Sequence, residues 1–137
     1  MSVERVRQLL TRSRYHQWLG LELVGVEPGR VVLRLPYRPQ FLADENDSYV
    51  HGGVIATVVD VAGGFALITE LGRGLPTVDL RVDYLRPAPP GADLTAEGHT
   101  VRLGRNLGVA DVTVSAAGAN GGKPVAVGRA VYYTAQR

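Results

Sequence analysis

Residues 50–72 read VHGGVIATVVDVAGGFALITELG, a stretch that is apolar on nearly every side and is closed by Gly72. Its pattern predicts one helix. A helix without a polar face lies either at the centre of a fold or in a membrane. Asp60 stands at the middle of the stretch, and the apolar run falls short of the about 20 residues that a bilayer requires. The sequence therefore favours a central, buried helix.

One stripe of this helix carries unusually small residues, because residues three, four and seven apart share a face. The stripe consists of Gly53, Ala56, Thr57, Asp60, Gly64 and Leu67. Glycine inside a helix costs about 0.5–1 kcal/mol relative to alanine, so we expect another backbone or a thin substrate chain to approach closely. A carboxylate in an apolar wall is normally paired, neutralised or functional. The structural alternative is a hydrogen bond between Asp60 and a hydroxyl such as that of Thr57.

The helix opens with His51-Gly52-Gly53. Backbone N–H groups at a helix start have no partner within the helix, and the macrodipole is positive there. Such an end attracts an oxyanion or a polarised carbonyl group. The alternative is an ordinary turn from a strand into a helix.

The spacing between Gly52 and Asp60 predicts a dimer. Eight residues at 1.5 Å each place Asp60 about 12 Å along the axis from the Gly52 amide. Reacting groups must converge within about 3–3.5 Å, so one helix cannot bring both groups to one bond. Two antiparallel copies related by a two-fold axis can do so. We therefore expect an obligate homodimer with two active sites at its interface.

Composition describes one soluble globular domain of 137 residues, with 45% hydrophobic and 20% charged residues. The chain has no cysteine, which excludes disulfides and thiolate chemistry, and its scattered histidines (His16, His51 and His99) do not predict a metal site. The net charge of +2 suits a phosphorylated small molecule. Lys123 is the sole lysine, so no lysine-rich tract points to nucleic acid.

The N-terminal region predicts no targeting segment. No uninterrupted apolar core follows the first arginines, as a signal peptide would require. Arginines there are compatible with a transit peptide, but Glu4 argues against one. We expect a cytoplasmic protein without a membrane partner.

The remaining chain alternates strands and turns. Residues 2–19 predict one amphipathic helix, with Val3, Val6, Leu9, Leu10 and Trp18 on its apolar side. Strands are predicted at 21–26, 31–36, 77–85, 93–103, 107–116 and 124–134, the last four as a meander. The strand at 77–85 alternates, which predicts burial of Val78, Leu80, Val82 and Tyr84. The irregular segment 37–49 precedes the central helix and is a candidate site loop. The fold class is α+β: an antiparallel sheet of about six strands around one long helix, with an extra N-terminal helix.

Three motifs carry a family resemblance. They are HGGVIA at 51–56 followed by Asp60, TVDL at 77–80, and YLRPA at 84–88. Together with the element order, they resemble the hotdog-fold acyl-CoA thioesterases of the phenylacetate-degradation (PaaI) type over almost the whole chain. The resemblance implies a single hotdog thioesterase domain over residues 1–137. It implies hydrolysis of an acyl-CoA without metal or cofactor, at sites between two subunits and usually in a dimer of dimers, a homotetramer.

The resemblance also assigns roles to residues. The Gly52 amide, helped by Gly53 and His51, would polarise the thioester carbonyl. Asp60 of the other chain would act as general base on water, or would attack directly to give an anhydride. Thr77 would hold the water or the carboxylate; the alternative is an ordinary threonine at a strand start.

One loop position departs from the family pattern. Members carry Asn or Gln six residues before the histidine and glycine three residues before it. Here these positions hold Glu45 and Ser48, and Asn46 lies one place late. Either the loop is shifted and Asn46 binds the carbonyl, or that donor is missing.

Coenzyme A brings phosphates, so arginines are expected at the tunnel mouth. The candidates are Arg86, Arg102 and Arg105. The expected acyl pocket is lined by Phe65, Leu67, Tyr49 and the loop that contains Phe41.

Two other functions fit the same residues. A hotdog hydratase or dehydratase would pair His51 with Asp60 across the interface. A non-catalytic acyl-CoA-binding protein would retain the arginines and have no use for Asp60.

Overall fold

The computed structural model describes residues 1–136, and Arg137, the last residue of the expected domain, lies outside them. The helices are α1 (Val3–Thr11), α2 (Arg14–Leu19) and α3 (Gly52–Leu71), with single 3-10 turns at Pro39–Phe41 and Asn120–Gly122. The strands are β1 (Glu22–Glu27), β2 (Arg30–Leu35), β3 (Thr77–Tyr84), β4 (Leu94–Leu103), β5 (Leu107–Ala116) and β6 (Ala126–Tyr133). The predicted strand boundaries therefore agree with the structure to within two residues.

The six strands form one antiparallel sheet in the order β1-β2-β4-β5-β6-β3, and α3 packs against it. This confirms the predicted sheet around a central helix. The predicted meander of β3, β4, β5 and β6 is wrong, because β3 pairs with β6 and not with β4. The chain enters α3 after β2 and crosses the sheet, so β3 begins at the far edge beside β6. β4 then occupies the free place beside β2.

Glycines on the sheet allow α3 to lie close to it. A Cβ built on Gly98 would lie 2.3 Å from the carbonyl oxygen of Ala62, and one built on Gly128 would lie 2.5 Å from Val59 Cγ1. Neither strand position has room for a side chain. The buried residues of α3 run from Ile55 to Thr69 and form the centre of the core.

The prediction that α3 has no solvent-facing side is wrong for its first half. Gly53 is exposed, and Ala56, Thr57 and Asp60 are only half-buried, whereas Gly64 and Leu67 further along the same stripe are buried. We call Gly53, Ala56, Thr57 and Asp60 the open stripe. The small-residue stripe thus leaves the protein interior near the N-terminal end of the helix.

The length argument against a membrane helix is also corrected, since α3 spans 20 residues and is long and apolar enough to cross a bilayer. However, 67% of its most hydropathic 18-residue window is buried inside the domain. A core helix passes the same test of length and composition. Its burial identifies α3 as the core helix that the sequence predicts.

The expected single N-terminal helix is two short helices. The Ser13 side chain accepts a hydrogen bond from the His16 amide at 3.3 Å, which caps the start of α2. Val6 and Leu10 are buried as predicted. Trp18 is exposed, because the break after α1 changes the face that the later residues present. Val3, the first residue of α1, is exposed as well.

The predicted burial along β3 is wrong at both ends. Val78 and Tyr84 are exposed, and Leu80 and Val82 are half-buried. An irregularity in the register between Thr77 and Asp79 takes Val78 out of the alternation. Moreover, β3 is an edge strand, so neighbours cover it on one side only.

Candidate active site

Asp60 lies on the open stripe of α3 and is held by one hydroxyl group. Its Oδ1 accepts a hydrogen bond of 2.8 Å from Thr77 Oγ1, at the start of β3. The alternative bond to Thr57 is not formed, because the Thr57 hydroxyl donates to the Gly53 carbonyl at 3.0 Å. Within residues 1–136 Asp60 forms no salt bridge. The carboxylate is therefore oriented by a neutral partner.

Asp60 opens into a groove of about 230 Å³. Its lining is mostly apolar and comes from α1, α2, α3, the segment leading into β3, the start of β3 and the end of β6. The lining residues are Leu9, His16, Asp60, Val61, Gly64, Phe65, Ile68, Gly74, Leu75, Thr77 and Tyr132. We call this the Asp60 groove. Phe65, which is expected in the acyl pocket, lines this groove together with Asp60. Leu67 and Phe41, expected in the acyl pocket, are instead buried in the core.

Tyr132 on β6 contacts the backbone of Asp60, a contact that the sequence did not predict. Its hydroxyl donates to the backbone carbonyl of Asp60 at 2.6 Å. Burial, followed by the charge of Asp60, raises the pKa of Tyr132 above its ordinary value of 10.0. The phenol therefore stays protonated at neutral pH and remains a hydrogen-bond donor.

The start of α3 holds one engaged and one free amide. His51 is the N-cap, and its Nδ1 accepts a hydrogen bond of 2.8 Å from the Gly53 amide. Within residues 1–136 the Gly52 amide donates to no acceptor. Tyr84 on β3 donates to the Gly52 carbonyl at 2.7 Å, a contact that the sequence did not predict. The free N–H at the positive end of the helix suits a carbonyl oxygen or an oxyanion.

A second groove, of about 460 Å³, lies at this helix start. Its lining is Tyr49, Val50, Gly52, Ile55, Tyr84, Leu85, Arg86, Pro87 and Ala88. We call it the Gly52 groove. The structure therefore brings the predicted residues Gly52 and Arg86 together. The half-buried Arg86 also donates from Nη1 to the Pro124 carbonyl, which fixes its side chain.

The other predicted residues lie apart from both grooves. Arg102 and Arg105 are exposed at the turn between β4 and β5. This turn and Arg86 lie at opposite ends of the sheet, since β3 starts beside the end of β6 and Arg86 follows the other end of β3. Asn46 lies in an exposed turn and lines neither groove.

Within one chain, Asp60 and Gly52, whose amide is free, line different grooves. They are separated along a single rigid helix, as its rise of about 1.5 Å per residue requires. The open stripe, made of small side chains, extends between them. Among residues 1–136, no group of three or more His, Cys, Asp or Glu side chains could hold a metal ion.

Comparison with known proteins places this geometry in a family. Residues 47–123, which include α3 and both helix-borne groups, match the family described as the thioesterase superfamily. A putative esterase of Halobacterium salinarum is 37% identical over 102 residues, which cover 71% of this chain and 66% of that protein. The chain thus spans about two thirds of the length of this relative.

Two further proteins narrow the assignment. The medium/long-chain acyl-CoA thioesterase YigI of Salmonella typhimurium is 35% identical over 113 residues, or 72% of each chain. A solved structure of a mutant phenylacetic acid degradation protein PaaI from Thermus thermophilus has a chain that is 27% identical, with a TM-score of 0.76, and the match covers 88% of this chain and 98% of that one. The chain therefore belongs to the thioesterase superfamily, as a hotdog-fold thioester hydrolase of the PaaI type.

Proposed function

We propose that the protein hydrolyses acyl-CoA thioesters at two identical sites, each formed across the interface of a symmetric homodimer. The observation that carries this proposal is the separation of a free Gly52 amide and an oriented Asp60 carboxylate along one open helix face. Two antiparallel α3 helices would place the Asp60 of one chain beside the Gly52 of the other. The small side chains of the open stripe permit such a close approach.

In this site the thioester carbonyl oxygen accepts a hydrogen bond from the Gly52 amide at the positive end of α3. Thr77 engages Oδ1 of Asp60, which leaves Oδ2 for the reaction. Acting as general base, Asp60 takes a proton from water, the water oxygen attacks the carbonyl carbon, and the CoA thiolate leaves. In the nucleophilic variant, Asp60 itself displaces the thiolate and water then cleaves the resulting anhydride.

The arginines suit the phosphates of coenzyme A in the same dimer. Because the two helices run antiparallel, the β4–β5 turn of one chain would approach the Arg86 end of the other. Arg102 and Arg105 of one chain and Arg86 of the other would then flank one tunnel mouth. Asn46, in the exposed turn before α3, would supply a further donor to the carbonyl. We further propose that the enzyme is a cytoplasmic dimer of dimers and needs no cofactor.

Activity tests the role of Asp60. Free CoA is measured with a thiol reagent for aromatic, short-chain and long-chain acyl-CoAs, with wild type and Asp60→Asn. We expect the substitution to lower kcat by about 10²–10⁴-fold, because it preserves volume and deletes the base. Asp111→Asn, on the outer face of the sheet, is the matched control and should turn over normally. Equal rates for wild type and Asp60→Asn would refute the role of Asp60.

Subunit complementation tests the shared site. Gly52→Pro removes the amide hydrogen at a helix position where proline is well tolerated, and Gly52→Ala is its control because alanine keeps that hydrogen. Neither Asp60→Asn nor Gly52→Pro should be active alone. Random reassortment of the two should restore about one quarter of wild-type activity, since half of the dimers are mixed and each has one intact site. If mixing restores nothing, the site does not span two chains.

A parallel assay of enoyl-CoA hydration separates the closest alternative chemistry. Hydration faster than thioester cleavage would assign His51 and Asp60 to a hydratase instead.

A further inference from the structure

The peptide group that links Gly52 and Gly53 is held at both of its polar atoms. Its carbonyl oxygen accepts the Tyr84 hydroxyl at 2.7 Å, and its N–H donates to His51 Nδ1 at 2.8 Å. Because a peptide group is planar, two hydrogen bonds from opposite sides fix its orientation. Two adjacent glycines would otherwise have more backbone freedom than other residue pairs. The two side chains therefore remove freedom that the glycine sequence introduces.

The bond to Gly53 also determines the state of the His51 ring. A backbone N–H can only donate, so Nδ1 must be an unprotonated acceptor. The neutral ring then carries its proton on Nε2. His51 thus caps α3 in the manner usual for serine or asparagine, which accept from the second or third amide of a helix.

Tyr84 occupies a position that core packing does not explain. Its side chain is 53% exposed. It nevertheless lies against the helix start, where a Cβ built on Gly52 would be 3.4 Å from three atoms of the phenol. The ring therefore borders the Gly52 groove and the hydroxyl reaches the helix backbone, although 32 residues separate the two in sequence.

The Gly52 N–H belongs to the neighbouring His51–Gly52 peptide, whose carbonyl oxygen accepts the Val54 amide at 3.0 Å. We infer that Tyr84 and His51 are positioning residues that clamp the Gly52–Gly53 peptide, so that the peptides on both sides of the Gly52 Cα are held and the Gly52 N–H keeps one orientation at its groove. This inference rests on the proposed function, in which that amide binds the thioester carbonyl. A donor contributes fully to catalysis only when it is already oriented before the charge develops on the oxygen. Small misplacement of such a group is costly, since reacting atoms must align within a few tenths of an ångström.

Kinetics of Tyr84→Phe test the clamp, because this variant keeps the ring and deletes only the hydroxyl. We expect kcat to fall by about tenfold while KM changes less than about twofold, with folding intact. Tyr133→Phe, an exposed tyrosine on β6 outside both grooves, is the matched control and should leave kcat unchanged. His51→Asn keeps an acceptor for the Gly53 amide and should retain more activity than His51→Leu, which keeps none.

Two NMR measurements report on the clamp without activity. The His51 ring of the wild type should show the Nε2–H form, and the Gly53 amide should exchange about fivefold faster in Tyr84→Phe than in wild type. If Tyr84→Phe keeps wild-type kcat while Asp60→Asn is inactive, the clamp is refuted and the proposed function stands. If the wild type cleaves no thioester, the proposed function fails. In that case an equal exchange rate of the Gly53 amide in wild type and Tyr84→Phe would separately refute the clamp.

Discussion

Replacing Thr77 by valine deletes the hydroxyl that donates to Asp60 Oδ1 at 2.8 Å, while keeping a branched side chain at the start of β3. Valine suits an extended edge strand as well as threonine does, so the strand should form normally. Thr77 is exposed, which limits the effect on folding stability to about 0.5 kcal/mol. The variant therefore isolates the orientation of the carboxylate.

The expected loss follows from that single hydrogen bond. A bond to a charged acceptor contributes about 1.5–3 kcal/mol. Asp60 is half-buried and water can partly replace the hydroxyl, so we take the lower end of that range. About 1.4 kcal/mol in the transition state corresponds to about a tenfold decrease in kcat. KM should change little, because Thr77 orients the carboxylate and does not contact the CoA phosphates.

The measurement is the steady-state release of free CoA, with kcat and KM determined for wild type, Thr77→Val and Thr77→Ser. Serine retains the hydroxyl and should stay within about threefold of wild type. Wild-type kcat for the valine variant would show that Asp60 needs no such partner. Equal losses for valine and serine would also contradict the reasoning, because serine retains the hydroxyl that donates to Asp60.

Three further outcomes are expected. Gly98→Ala should lower the free energy of unfolding by about 1–3 kcal/mol, because its Cβ would lie 2.3 Å from a backbone oxygen of α3. In the control variant Gly25→Ala, the new Cβ would lie 3.8 Å from its neighbour, so the free energy of unfolding should change by less than about 0.5 kcal/mol. Equal denaturation midpoints for the two variants would contradict this packing. Arg105→Ala should raise KM for acyl-CoA more than it lowers kcat, and an unchanged KM would remove Arg105 from the phosphate site. The hydrogen bond from Arg129 lowers the pKa of Asp111 below 3.8, so the ionised carboxylate stabilises the fold above pH 3.8 and this contribution is lost as the pH falls through the lowered pKa. The melting temperatures of wild type and Asp111→Asn should therefore converge in acid. A difference that stays constant with pH would contradict the role of this ion pair.

Local patterns predicted much of this fold because they report directly on one element at a time. The apolar run after His51 predicted α3, and the glycine at 72 marked its end, where the backbone has a φ of 76°. The placement of β3 beside β6 was not predicted, because it depends on how α3 carries the chain across the sheet. The exposure of Tyr84 has the same origin, since only the finished sheet shows that β3 is an edge.

The candidate site was predicted where one element carries it and missed where distant strands meet. Asp60 and Gly52 share α3, so helical geometry alone predicted their separation. The contacts of Tyr84 with Gly52 and of Tyr132 with Asp60 join residues 32 and 72 positions apart. A tyrosine in a strand of alternating apolar and polar residues gives no sign of such a hydrogen bond, because the same pattern is typical of any half-buried sheet.

The second half of α3 packs in the core, whereas the first half carries the proposed reactive groups. From Val61 to Thr69 every residue of the helix is buried, and the close approach of Gly98 to Ala62 holds this part against the sheet. Before that point one face stays open, and this face carries both proposed reactive groups. A helix so firmly packed cannot bend to close a gap of about 12 Å between Gly52 and Asp60. If catalysis uses both groups as proposed, it requires two chains, and we expect the activity per chain to fall when dilution separates them.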